Sequence, residues 1–147
     1  MSVQYAVPEA AYTLTSAERD GLPAIAMLNL AYNDFEQCAD YPWLLSLTIQ
    51  LGRQTDNGLP TDDEAVVLNR AEDAIEAALA KITPFHHIAR QSWNGQRVLD
   101  YYVQRGDEAQ ACLERLAKSG VLERKLETSV KCDPKWASWL PMLRSFD

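Results

Sequence analysis

Residues 41–51, Tyr-Pro-Trp-Leu-Leu-Ser-Leu-Thr-Ile-Gln-Leu, constrain this chain more than any other stretch. Read with a period of two, Trp43, Leu45, Leu47, Ile49 and Leu51 fall on one side, and Leu44, Ser46, Thr48 and Gln50 on the other. That alternation predicts a strand with one dry face and one mostly polar face. Each of the five large side chains stabilises the fold by roughly 1.5–3 kcal/mol if fully buried. Whatever the chain folds into must cover that face.

The segments around it supply the cover. Thr61-Asp62-Asp63-Glu64 reads as a capping box, in which Thr61 accepts from the Glu64 N–H and the Glu64 side chain reaches back. Leu68, Ala71, Ile75, Ala78, Leu79 and Ile82 then recur with helical spacing, so residues 62–81 are predicted as an amphipathic helix. Glu72, Asp73 and Glu76 fall on its outer face and read as a solvated acidic ridge. Asn94-Gly95 is a strong hairpin signal between strands predicted at 83–93 and 96–104. A two-residue turn there sets Trp93 against Gln96, Ala89 against Asp100, Ile88 against Tyr101 and His87 against Tyr102. A second helix is predicted at 107–119, ended by Gly120, followed by a strand alternating through Leu122, Leu126, Thr128 and Val130. Asp133-Pro134 is expected to start a short helix that docks Trp136, Trp139 and Leu140 on the core.

From residue 41 the order is strand, helix, strand, strand, helix, strand. This predicts an α+β, ferredoxin-like α/β sandwich: βαββαβ, an antiparallel sheet with two helices on one face. Residues 23–32 have no polar alternation and suggest an extra strand, at a sheet edge or in a separate layer. Residues 3–7 suggest a short strand, and residues 15–21 a turn or one helical turn. The 147 residues suit one domain: an extension at 1–40, the core at 41–132 and a C-terminal helix at 133–147.

The main strand opening at Tyr41-Pro42, the Asn94-Gly95 hairpin ending in Tyr101-Tyr102, and the terminal Asp133-Pro134-Lys135-Trp136 together resemble the family called domain of unknown function 695. That resemblance covers most of the chain after Pro23 and implies a fold without an activity. A looser similarity runs to the acidic protein regulators of ribonuclease E, which implies inhibition by protein–protein contact.

Charge and cysteine usage narrow the functional classes. Fourteen Lys and Arg against 21 Asp and Glu give a net charge of -7. An acidic surface disfavours nucleic acid and anionic membranes. Cys38, Cys112 and Cys132 are widely spaced, with no Cys-x-x-Cys, and read as reduced thiols. With no basic-then-apolar leader at the start, the expected compartment is the cytoplasm.

The face left open by such a sandwich gathers Thr48, Gln50, His87, Gln91, Asp100 and Tyr102. A histidine diagonal to a carboxylate and across from a tyrosine suits proton relay or a polar ligand. His86-His87 is not a metal pair on a regular strand, because adjacent residues point to opposite faces. His86 is expected at the core edge beside Val103. Asp56, Asp62, Asp63 and Glu64 lack the spacing of a calcium loop. No metal or cofactor is expected. The sequence therefore supports a small interaction or regulatory module whose partner is another protein or a second copy. The alternative is a ligand binder or enzyme using His87, Asp100 and Tyr102.

Overall fold

The computed structural model describes residues 5–146. Strands β1 (Tyr12–Arg19) and β2 (Leu22–Asn29) form a hairpin. Its turn is Asp20-Gly21, both residues with positive φ (52° and 79°), the twist that suits a two-residue hairpin. Of the turn or helical turn expected at 15–21, the turn is found at Asp20-Gly21, and residues 15–19 belong to β1 instead of a helical turn. Of the strand expected at 3–7, Val3 and Gln4 lie outside the described residues, and residues 5–7 form none.

After β2 the chain makes short 3-10 turns at Leu30–Tyr32 and Cys38–Asp40. Then follow β3 (Trp43–Gln50), α1 (Asp62–Ala80), β4 (Phe85–Trp93), β5 (Gln96–Val103), α2 (Gly106–Ser119), β6 (Leu126–Cys132) and α3 (Leu140–Arg144). The six strands make one sheet in the order β1-β2-β4-β5-β3-β6, with every neighbouring pair antiparallel.

This corrects the expected ferredoxin-like sandwich of two helices on one face of a βαββαβ sheet. Among the described residues the sheet carries two further strands, β1 and β2, and three helices accompany it. Part of its second face is also covered, around Leu28, Leu44, Ile88, Ala89 and Tyr102, so the description that fits is a six-stranded antiparallel sheet of mixed α+β composition.

The two faces carry separate cores. On one, Leu45, Leu47, Ile49, Leu99, Tyr101 and Val103 meet Leu68, Ala71, Ile75 and Leu79 of α1 and Ala109 and Leu113 of α2. On the other, Leu28, Tyr32, Tyr41, Leu44, Ile88, Ala89 and Tyr102 lie with Trp136, Leu140 and Leu143. The C-terminal segment is fastened there by polar contacts. Trp136 stacks on Tyr102 with centroids 4.2 Å apart, and its indole N–H donates to the Tyr41 carbonyl at 2.9 Å. The Asp133 carboxylate accepts from the Tyr102 hydroxyl at 2.6 Å and from the N–H groups of Ala137 and Ser138. Asp133 thus caps a turn, and the helix expected to begin at Pro134 forms later, at α3.

The capping box at α1 is half formed. Thr61 accepts from the Glu64 N–H at 3.2 Å, but the Glu64 carboxylate turns away to Arg124. Arg124 donates through Nε at 2.7 Å and Nη2 at 2.6 Å, and the Gly52 N–H donates to the same carboxylate at 2.8 Å. A Cβ on Gly52 would lie 2.6 Å from Arg124 Cζ, so a side chain there would displace the guanidinium from its place on Glu64. This clamp ties the start of α1 to the loops that follow β3 and precede β6. Leu122, placed by alternation in the last strand, is a buried residue of that second loop.

Candidate functional site

One extra residue in β4 decides where its histidines point. The hairpin pairs Trp93 with Gln96 through Ala89 with Asp100, as turn counting gives. The register then slips between His87 and Ala89, leaving Ile88 as a β-bulge. Beyond it His87 pairs with Tyr101, His86 with Tyr102 and Phe85 with Val103. The expected pairs His87–Tyr102 and Ile88–Tyr101 are corrected, and His87 moves to the face under α1.

There it enters a cluster no sequence pattern announced. The His87 ring stacks on Tyr101 at 4.5 Å and 23°. Its Nε2–H donates to the Ala89 carbonyl at 3.1 Å. A carbonyl only accepts, so the proton of the neutral ring sits on Nε2 and Nδ1 holds a lone pair. That lone pair lies 3.6 Å from Oε2 of Glu76. The Tyr101 hydroxyl donates to the same oxygen at 3.0 Å. One helical turn earlier, Glu72 is clamped by Arg90, which donates through Nε at 3.0 Å and also through Nη2.

Glu72, Glu76, His87 and Arg90 line a cavity of about 400 Å³, walled by Tyr5, Tyr12, Phe85 and the segment before β1. The lining holds three carboxylates, of Glu72, Asp73 and Glu76, and one guanidinium, of Arg90. Burial lowers the pKa of His87 and raises that of Glu76, the latter against the pull of the Tyr101 hydroxyl. Burial opposes the charge on Arg90, but the hydrogen bonds to Glu72 outweigh it and hold its pKa above the ordinary value. Two acceptors, the Nδ1 lone pair and the Glu76 oxygen, therefore face each other across a gap that a shared proton or a cation would satisfy. A cavity of about 360 Å³ beside α2 and β6, and one of about 480 Å³ beside the Asp20-Gly21 turn, bring together no buried titratable groups.

The six residues expected to share an open face are separated. Thr48, Gln50 and Gln91 stay half-exposed on the face away from α1 and α2. Asp100 and Tyr102 share that face but are buried, Asp100 accepting from Ser46 and from the Trp139 indole at 3.1 Å. Burial raises the pKa of Asp100 despite those bonds. His86 is fully buried opposite Tyr102, not beside Val103, and its Nδ1 lies 2.7 Å from the Tyr32 hydroxyl among Tyr5, Phe35, Tyr41 and Trp136.

Of the solvated ridge expected at Glu72, Asp73 and Glu76, Asp73 is exposed, Glu72 is buried and Glu76 is partly so.

Neither the curated proteins nor the solved structures yield a match to this chain, and the looser similarity to the ribonuclease E regulators gains no support. A family model described as a family of unknown function, DUF695, matches residues 12–143, and the chain belongs to that family.

Proposed function

We propose that this protein binds a small, positively charged ligand in the cleft between α1, β4 and the segment leading into β1. The observation that carries the reading is the Nδ1 lone pair of His87 facing the Glu76 carboxylate inside a half-enclosed, acidic cavity. Its volume suits a small molecule, and its tyrosine and phenylalanine walls suit the apolar part of an organic cation. The test is an NMR titration of the full chain with 1,4-diaminobutane and, separately, with zinc chloride. Shifts confined to Glu72, Glu76, His87 and their neighbours support the reading. Absence of any cleft response to either cation at millimolar concentration sinks it.

A second reading, association with another protein or a second copy, rests on the hairpin. Tyr12, Leu14 and Ile25 are 58%, 73% and 40% exposed, and β1 is an edge strand. A second copy is the simplest occupant, with β1 pairing against its own symmetry mate. Light scattering would show a dimer that Leu14→Lys dissociates; a monomer at every concentration removes this reading. The three free thiols support a reducing, cytoplasmic setting. Among the described residues no helix is long and apolar enough to cross a membrane.

A further inference from the structure

We propose that the cleft is a divalent transition-metal site whose protein ligands are Glu72, Glu76 and Nδ1 of His87. This rests on the cation-binding reading above and names the cation class.

The argument begins with reach. One ligand atom from each of the three residues lies within 4.8 Å of the others. Two ligands about 2.1 Å from a single ion lie at most about 4.2 Å apart. The 3.6 Å between Nδ1 and Glu76 Oε2 already falls inside that limit. Glu72 and Glu76 are four residues apart on α1, so both carboxylates leave the same flank of the helix. The third side, no more than 4.8 Å, closes when the Glu72 carboxylate shifts within its pair with Arg90.

The groups behind the ligands are those a metal site needs. Histidine ligands usually donate their second ring N–H to a carbonyl or carboxylate, which fixes the tautomer and the ring plane. His87 does this with Ala89, and stacking on Tyr101 fixes the ring further. Each glutamate also has its own donor, Tyr101 for Glu76 and Arg90 for Glu72. No proton has to leave Nδ1, because the Ala89 bond places it on the other nitrogen.

Ligand type and number then select the ion. One imidazole and two carboxylates suit zinc, manganese or ferrous iron better than magnesium or calcium, which favour oxygen alone. Three protein ligands leave coordination positions directed at the cavity, as in sites that bind water or substrate. Arg90 shares the Glu72 carboxylate, so binding is expected to be weaker than in a closed structural zinc site.

The test uses the full chain, freed of metal by chelation. Calorimetry with zinc chloride is expected to give one equivalent. The Nδ1 nitrogen resonance of His87 should move while Nε2 keeps its proton. Glu76→Gln and His87→Gln should each weaken binding by tenfold or more, and Tyr101→Phe by about tenfold through loss of the outer hydrogen bond. Circular dichroism confirms that each variant is folded, and cobalt(II) absorption gives an independent readout of the ligand set. Zinc binding that survives both Glu76→Gln and His87→Gln overturns the assignment, because the ion then sits elsewhere. Failure of zinc and cobalt while 1,4-diaminobutane still shifts the cleft overturns the metal but leaves the cation reading intact. Failure of all three removes both.

Discussion

Replacing Glu64 with Gln tests the clamp at the start of α1. Glu64 is fully buried and holds Arg124 through two hydrogen bonds, with a third from the Gly52 N–H. The Arg124 hydrogen bond lowers its pKa to about 2; burial opposes the shift, and the N–H groups of Gly52 and Arg53 reinforce it. Against an ordinary 4.5, that difference is worth about 3 kcal/mol of preference for the charged form. The Arg124 side chain is 21% exposed, so solvent screening brings the expected contribution to about 2 kcal/mol. The folded state holds its carboxylate unprotonated at pH values where the unfolded chain takes up a proton. The contribution is therefore complete above about pH 4.5 and lost as pH falls through 4.5 toward 2. Urea unfolding of wild type and Glu64→Gln across that range should show a gap of about 2 kcal/mol at neutral pH that closes at the acid end. A gap that stays constant with pH, or a Glu64 carboxyl that titrates at its ordinary value, refutes the reasoning.

Three other outcomes follow from the packing. Leu47→Asp buries an unpaired charge between β3 and α1 and is expected to prevent folding by circular dichroism, while half-exposed Thr48→Asp leaves a cooperative transition. Trp136→Ala removes the plate stacked on Tyr102 and should cost about 3–5 kcal/mol in urea unfolding. Gly52→Ala drives a methyl group into the Arg124 guanidinium and should cost about 1–3 kcal/mol by the same measurement, with little added loss in the Glu64→Gln background.

The parts of the fold that were legible are those set by local chemistry. Alternation from Trp43 to Gln50 gives β3, and Leu45, Leu47 and Ile49 take the dry side. Thr61 caps α1, Asn94-Gly95 turns the hairpin, and Gly120 ends α2 with φ 81°. What failed was the wider arrangement. Asp20-Gly21 is as good a turn signal as Asn94-Gly95, yet β1 carries so few buried side chains that its alternation is faint. Leu44 broke the polar parity of β3 because the second face is also covered there, by Tyr102 and the C-terminal segment. The bulge at Ile88 leaves no mark in His86-His87-Ile88-Ala89, since Ile88 and Ala89 are both buried in the same core. A slip of one residue exchanges the faces of every side chain beyond it. It separated His87 from Asp100 and Tyr102 and delivered it to Glu76.

The most direct check on that slip is a nuclear Overhauser measurement from the His87 ring protons in the free chain. Strong contacts to the Tyr101 ring and to the Glu76 methylenes are the expected result, given the 4.5 Å stacking of His87 on Tyr101. Contacts to Tyr102 and Trp139 in their place would contradict the bulge, and the cleft built on it would no longer contain its histidine.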